Sequence, residues 1–144
     1  KAIGFKIKLD TNGSNPVMLK RLLDEGLVDY GSMDIKSSFD SYSICAGAEV
    51  DAKIILESIA VIMGGKVDYE FRTTVVPGLF DICRLKSICK EIAGAKGYYL
   101  QQFNPKTSLI DDRYTDVKPF SVDQMREFAS FAEKFVQKCG IRNV

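Results

Sequence analysis

Residues 67–92 read Val-Asp-Tyr-Glu-Phe-Arg-Thr-Thr-Val-Val-Pro-Gly-Leu-Phe-Asp-Ile-Cys-Arg-Leu-Lys-Ser-Ile-Cys-Lys-Glu-Ile, and this stretch decides the fold class. Val67 to Val76 is rich in aromatic and β-branched residues, which favour a strand, and Pro77-Gly78 ends it. The apolar residues that follow recur at the spacing of a helix face, and they are Ile82, Leu85, Ile88, Cys89 and Ile92. The stretch therefore predicts a strand, a turn and a helix.

The same order occurs twice upstream of this stretch. Ile3 to Leu9 alternates apolar and basic residues, the period of a strand, and Asn15-Pro16 begins a helix that ends at Gly26. Leu27 to Lys36 predicts the next strand. The helix after it ends at Gly64-Gly65 and is marked by Ile54, Ile55, Ile59, Ile62 and Met63.

A fourth unit follows downstream. Tyr98 to Phe103 predicts a strand, Asn104 to Pro119 a long loop, and Ser121 with Gln124 a capping box that opens the last helix. We expect that helix to end at Gly140, and its apolar stripe is Met125, Phe128, Ala129, Ala132, Phe135 and Val136. Alternating strands and helices predict an α/β fold with a parallel sheet, either doubly wound or part of a barrel.

Composition limits the classes of partner. The chain has 144 residues, 46% of them hydrophobic, which is enough for one domain with a real core. Its 20 basic and 19 acidic residues create no single-sign field that would gather nucleic acid or an anionic membrane. No apolar run approaches the ~20 residues of a membrane span, and no leader opens the chain. We therefore expect a cytoplasmic protein that binds neither.

The four cysteines and the first residues carry two further expectations. Cys45, Cys83, Cys89 and Cys139 are irregularly spaced, which is typical of buried, reduced thiols and not of a disulfide framework or a metal site. Residue 1 is lysine, and an apolar, strand-like run has already begun at Ile3. We expect the chain to be part of a longer protein.

Polar residues follow three of the predicted strands. These segments are Asp10-Thr11-Asn12-Gly13, Asp34-Ile35-Lys36 and Arg72 to Gly78. Ligands of parallel α/β folds sit at the carboxyl ends of the strands, so the three segments predict one pocket. Simpler interpretations are turn chemistry for the first segment, an exposed ion pair for the second and a strand terminator for the third.

The order and spacing of these three segments resemble the radical S-adenosylmethionine activating enzymes of glycyl-radical enzymes. The nearest likeness is to the activating protein of anaerobic ribonucleoside-triphosphate reductase, with pyruvate formate-lyase activating enzyme as its sibling. The resemblance implies a partial (β/α) barrel, in which residues 1–144 form one truncated domain with the last four strand–helix units of a (β/α)6 barrel. The family's Cys-x3-Cys-x2-Cys loop, which holds a 4Fe–4S cluster, and its Gly-Gly-Glu motif are absent from this sequence. Iron–sulfur ligands are therefore absent, and we expect this part alone to be inactive.

The resemblance also implies which residues contact S-adenosylmethionine, and they are Asp10, Thr11, Asn12, Asp34, Lys36, Arg72, Thr74, Gln101 and Asn104. Asp10 and Thr11 would lie near the methionine end, with a monovalent cation at Asp10 and Asp34. Asp34 and Lys36 would contact the ribose hydroxyls and the carboxylate, and Arg72 and Thr74 would line the adenosine. Asn104 follows the adenine-side strand, where the formate-lyase sibling carries a histidine, and this chain has no histidine.

The partners implied by the resemblance are a glycyl-radical enzyme, either anaerobic ribonucleotide reductase or pyruvate formate-lyase, and an electron donor of the flavodoxin or ferredoxin type. Two alternatives stay open. Lys36 could act as the Schiff-base nucleophile of a carbonyl lyase, although a neighbouring Asp34 carboxylate would stabilise the unreactive ammonium form. The chain could also be a non-catalytic interaction domain whose open edge strand pairs with another copy.

Overall fold

The computed structural model describes residues 1–107, 109 and 111–144. Within them, five parallel strands form one sheet in chain order, and they are β1 (Lys8–Thr11), β2 (Tyr30–Asp34), β3 (Asp68–Val75), β4 (Tyr98–Gln102) and β5 (Cys139–Arg142). The helices are α1 (Pro16–Asp24), α2 (Tyr42–Ala46), α3 (Ala52–Gly64), α4 (Ile82–Glu91) and α5 (Val122–Ala132). A doubly wound sheet reverses its strand order at a switch point, whereas this sheet does not, so the arrangement is a partial (β/α) barrel. The predicted α/β fold is confirmed.

The helices begin where local chemistry satisfies their free amide groups. The Asn15 side chain accepts a hydrogen bond from the Met18 amide at the start of α1, and Pro16 occupies the first turn. At α5, Ser121 and Gln124 form the predicted capping box. Both helix starts were predicted because their signals lie within a few residues of each other.

The helices cover one face of the sheet, and the hydrophobic core lies between the helices and that face. Met33, Phe71 and Leu100 project from three neighbouring strands into this core and are fully buried. Cys89 of α4 lies with them, and burial raises the pKa of its thiol to about 12. The expectation of buried thiols is wrong for Cys83, because it lies on the exposed side of α4.

The other face of the sheet carries polar side chains and is called the polar face below. Side chains alternate along each strand, so the residues between the core positions project to this side. The polar face is formed by Lys8, Asp10, Tyr30, Ser32, Asp34, Glu70, Arg72, Thr74, Tyr99, Gln101, Gly140 and Arg142.

The first strand begins later than the alternation from Ile3 predicted. It pairs with β2 only from Lys8, because β2 itself begins at Tyr30 and offers no ladder partner to earlier residues. Ile7 is tied to the segment before β2 by a hydrogen bond from the Asp29 amide to its carbonyl, whereas Ile3 and Phe5 are 81% and 71% exposed.

The end of the chain also differs from the prediction. The last helix ends at Ala132, and Gly140 lies inside β5, a strand that the sequence did not predict. The Tyr99 ring lies so close to Gly140 that a Cβ there would stand 2.9 Å from the ring. Gly140 is therefore a packing requirement of the strand and not a helix stop.

Two connections contain more structure than predicted. The serine-rich segment after β2 includes the short helix α2, and the loop from Asn104 to Pro119 includes a 3-10 turn at Asp112–Tyr114. Positions 108 and 110 of that loop lie outside the described residues. None of the helices in the described part of the chain has the length and apolar character of a membrane span.

Candidate functional site

The carboxyl ends of β1, β2 and β3 lie side by side, as the sequence predicted. Asp10 stands opposite Ser32 in the β1–β2 ladder, and Asp34 stands opposite Arg72 in the β2–β3 ladder. An open cavity of about 420 Å³ lies at this edge, and its lining is Asp10, Thr11, Asn12, Asp34 and Arg72. Five of the nine predicted contact residues therefore surround one cavity.

Arg72 joins the two carboxylates of this cavity. Its Nη1 lies 2.7 Å from Asp10 Oδ1, and its Nη2 and Nε each lie 2.8 Å from Asp34 Oδ1. Lys36 Nζ lies 3.1 Å from the second oxygen of Asp34. Two acids and two bases thus form one chain of ion pairs, in which the Arg72 side chain is only 17% exposed.

The loop after β1 is held by its own side chains. Thr11 Oγ1 accepts a hydrogen bond from the Gly13 amide, and Asn12 Oδ1 accepts one from the Ser14 amide, each at 3.0 Å. These are the turn bonds that the simpler interpretation predicted. They use acceptor atoms only, so the Thr11 hydroxyl and the Asn12 amide can still donate to a ligand.

Gly13 fixes the loop to the core. Its φ of +74° lies in the left-handed region, and its carbonyl accepts a hydrogen bond of 2.7 Å from Ser58 Oγ of α3. A Cβ at this position would overlap Cε of Met33, which is fully buried. The site loop therefore depends on a glycine that also allows close packing.

The remaining predicted residues lie further along the strands. Thr74 is exposed at the end of β3 and stands opposite Gln101 of β4, so both extend the polar face beyond Arg72. Asn104 lies in the turn after β4, where its side-chain oxygen accepts a hydrogen bond from the Lys106 amide. Thr74 and Gln101 thus lie on the polar face but outside the lining of the cavity, and Asn104 forms hydrogen bonds within its own turn.

Sequence reasoning missed a second polar cluster on the same face. Glu70 accepts two hydrogen bonds of 2.8 Å from the Arg142 guanidinium, one of 3.0 Å from the Tyr30 hydroxyl and one of 3.0 Å from Ser32. Lys8 Nζ lies 3.7 Å from Glu70 Oε1. A signal was available, because alternation within Val67 to Val76 puts Glu70 on the same face as Arg72.

Hydrogen bonding dominates the electrostatics of this cluster. Burial works to raise the pKa of Glu70, but hydrogen bonds from Arg142, Tyr30 and Ser32 outweigh it and lower that pKa to about 2. Burial and the bond to Glu70 raise the pKa of Tyr30 to about 12. Glu70 is thus ionised and Tyr30 is neutral at pH 7. The cluster lies on the polar face beside the candidate site, and Lys8 contacts both Glu70 and Asp10.

The described residues do not fit an iron–sulfur cluster or a multi-ligand metal centre. Among them, no group of three or more histidine, cysteine, aspartate or glutamate side chains is placed to hold a metal ion. Burial raises the pKa of Cys89 and Cys139, which disfavours the thiolate form that iron requires.

Comparison with known proteins gives one sequence relative and a shared fold. No family model matches the chain. A protein of Methanocaldococcus jannaschii, whose name provisionally assigns it as a glycyl-radical enzyme activating enzyme, is 32% identical over 149 residues, which cover all of this chain and 61% of that protein. The chain therefore spans less than two thirds of this relative.

A domain of pyruvate-formate lyase-activating enzyme from Bacteroides vulgatus has a similar structure, with a TM-score of 0.64 over 99% of this chain and 84% of that domain. At 16% sequence identity, this likeness shows the fold alone. The sequence relative confirms the resemblance of this chain to glycyl-radical enzyme activating enzymes, and the shared fold agrees with it.

Proposed function

We propose that the carboxyl edge of β1, β2 and β3 binds S-adenosylmethionine. The observation that carries the proposal is the chain of ion pairs from Asp10 through Arg72 and Asp34 to Lys36. Its first three members line an open cavity, and Lys36 lies next to that lining through its contact with Asp34. S-adenosylmethionine offers an amino group, a carboxylate, two ribose hydroxyls and an adenine ring. A site with both carboxylates and cations can satisfy a ligand of this mixed charge.

The side chains suggest an orientation for this ligand. Asp34 would accept hydrogen bonds from the ribose hydroxyls, and Lys36 would pair with the carboxylate. Asp10, Thr11 and Asn12 would contact the methionine end. The adenosine would extend along the polar face beside Arg72, and its adenine-side contacts would be Thr74, Gln101 and Asn104.

In the whole protein, we infer the activity of a radical S-adenosylmethionine activating enzyme, which installs a glycyl radical on a partner enzyme. The name of the sequence relative supports this activity. The described residues do not fit the 4Fe–4S cluster that such chemistry needs, so we expect no turnover by this chain alone. We propose that the partner is a glycyl-radical enzyme, either an anaerobic ribonucleotide reductase or pyruvate formate-lyase.

We further propose a flavodoxin- or ferredoxin-like electron donor and a cytoplasmic location. The Schiff-base alternative finds less support, because Lys36 Nζ lies 3.1 Å from Asp34 and its side chain is 41% exposed. A Schiff-base lysine is a desolvated amine, whereas Lys36 is paired with a carboxylate and open to water.

Isothermal titration calorimetry with S-adenosylmethionine tests the proposal on the 144-residue chain. We expect binding by the wild type and a loss of affinity of roughly tenfold or more in Asp34→Asn and Lys36→Met, since each removes a charge-assisted hydrogen bond. Lys96→Met is the matched control, because Lys96 forms its ion pair with Asp68, outside the cavity. Undiminished affinity in both site variants, or no binding by the wild type at millimolar ligand, would refute the proposed site.

A further inference from the structure

We propose that the guanidinium of Arg72 takes the position of a bound cation between Asp10 and Asp34, so that ligand binding at this edge needs no potassium or sodium ion. The identity of the ligand rests on the proposed function. The placement of Arg72 between the two carboxylates does not depend on the proposed function, because it follows from the geometry of the chain's own residues.

Three of the four carboxylate oxygens of Asp10 and Asp34 already lie against a basic side chain. Asp10 Oδ1 lies 2.7 Å from Arg72 Nη1, and Asp34 Oδ1 lies 2.8 Å from Arg72 Nη2. The other oxygen of Asp34 is 3.1 Å from Lys36 Nζ. Charge-assisted hydrogen bonds at these distances are among the strong ones in proteins, so a weakly held monovalent ion would have to displace them.

Charge balance points the same way. Asp10 and Asp34 contribute two negative charges, and Arg72 and Lys36 contribute two positive charges. Lys8 adds a further positive charge 3.7 Å from Asp10. An additional cation would therefore enter a set whose charges are already compensated.

Strand register holds the guanidinium in this position. Arg72 stands opposite Asp34 in the β2–β3 ladder, and its side chain reaches across β2 to Asp10 on β1. The guanidinium is a planar group with five donors, which suits it to bridge two carboxylates, whereas a lysine presents a single compact charge. The arginine thus ties three adjacent strands at the edge where the ligand would sit.

The first test compares S-adenosylmethionine binding by the wild type in potassium chloride and in choline chloride at equal ionic strength. We expect dissociation constants that agree within about twofold, since the positive charge between the carboxylates is covalently attached to the protein. Binding that falls by roughly tenfold or more in choline would overturn the inference and leave the proposed function intact.

The second test uses Arg72→Gln, with Arg84→Gln on α4 as the control. We expect Arg72→Gln to bind S-adenosylmethionine weakly in choline chloride. Its affinity should increase by about fivefold or more in potassium chloride, because the freed carboxylates can then bind the potassium ion. Arg84→Gln should show no potassium effect. If potassium does not change the affinity of Arg72→Gln for S-adenosylmethionine while circular dichroism shows that this variant is folded, the guanidinium does not occupy a cation position.

Thallium NMR separates this inference from the proposed function. If the wild type binds S-adenosylmethionine in neither salt, the proposed function fails, and a titration with thallium(I), a potassium substitute, then decides the inference alone. No saturable thallium binding by the wild type, together with saturable binding by Arg72→Gln, supports it. Saturable binding by the wild type that is abolished by Asp10→Asn contradicts it.

Discussion

The carboxylate of Glu70 and the guanidinium of Arg142 meet through two hydrogen bonds of 2.8 Å each, although 72 residues separate them in the chain. Glu70 lies on β3 and Arg142 on β5, so the pair crosses β4 on the polar face. The Arg142 guanidinium also stacks 3.8 Å from the centre of the Tyr99 ring of β4. The pair therefore fastens the last strand to the middle of the sheet.

Replacing Glu70 with glutamine should lower the free energy of unfolding by about 2–3 kcal/mol, because a buried ion pair loses one partner while Arg142 keeps partial access to water. Denaturation in urea measures the change. Asp68→Asn, on the same strand but with a 76% exposed carboxylate, is the control and should leave the unfolding midpoint unchanged. Equal behaviour of the two variants would mean that the Glu70 cluster adds nothing to stability.

Acid should destabilise the protein through the same carboxylate. The pKa of Glu70 is lowered to about 2 from an ordinary value of 4.5, so its contribution is complete above pH 4.5 and is lost as the pH falls towards 2. A shift of this size corresponds to about 3 kcal/mol. Stability measured from pH 6 to pH 2 should therefore fall less steeply in Glu70→Gln than in the wild type, and parallel curves would exclude Glu70 as the source.

Gly140→Ala should destabilise the chain by about 1–2 kcal/mol, because the new methyl group would overlap the Tyr99 ring. In a Tyr99→Ala background the same substitution should cost nothing or stabilise slightly, since the space is then open. A double-mutant cycle of unfolding free energies measures this coupling. Additive effects would show that the ring is not what requires glycine.

Gly13→Ala should cost about 3 kcal/mol, since the left-handed backbone and the overlap with Met33 both oppose a side chain. Gly26→Ala is the matched comparison, because Gly26 has a φ of +64° and a Cβ there would meet no atom within 4 Å, so it should cost about 1 kcal/mol. Thermal or urea unfolding distinguishes them. Similar costs at both sites would mean that contact with Met33 is relieved without penalty.

Much of the fold was predictable because its signals are local. The strand from Asp68 to Val75, the Pro77-Gly78 turn and the helix after it follow from residues adjacent in sequence. The last strand was missed because it is four residues long and contains a glycine. Gly140 is required there because the ring of Tyr99, which is distant in sequence, leaves no room for a side chain. Local patterns carry no information about such a contact.

The candidate site was predictable to a similar extent. Asp10, Asp34 and Arg72 come together because each lies towards the end of a strand in a sheet whose strands follow chain order. The bridge that Arg72 makes to both carboxylates depends on strand register. The ion pair between Glu70 and Arg142 joins two residues that are 72 positions apart in the chain. Neither of these could be deduced from one sequence.

Titration of the nitrogen-15-labelled chain with S-adenosylhomocysteine, followed by amide chemical shifts, tests the central claim most directly. We predict saturable shifts concentrated at residues 10–13, 34–36 and 72–74, with little change at the separate pocket near Asp40, Asp81 and Arg84. Shifts confined to that second pocket, or no shifts at saturating ligand, would contradict the assignment of the cosubstrate site to the ends of β1, β2 and β3.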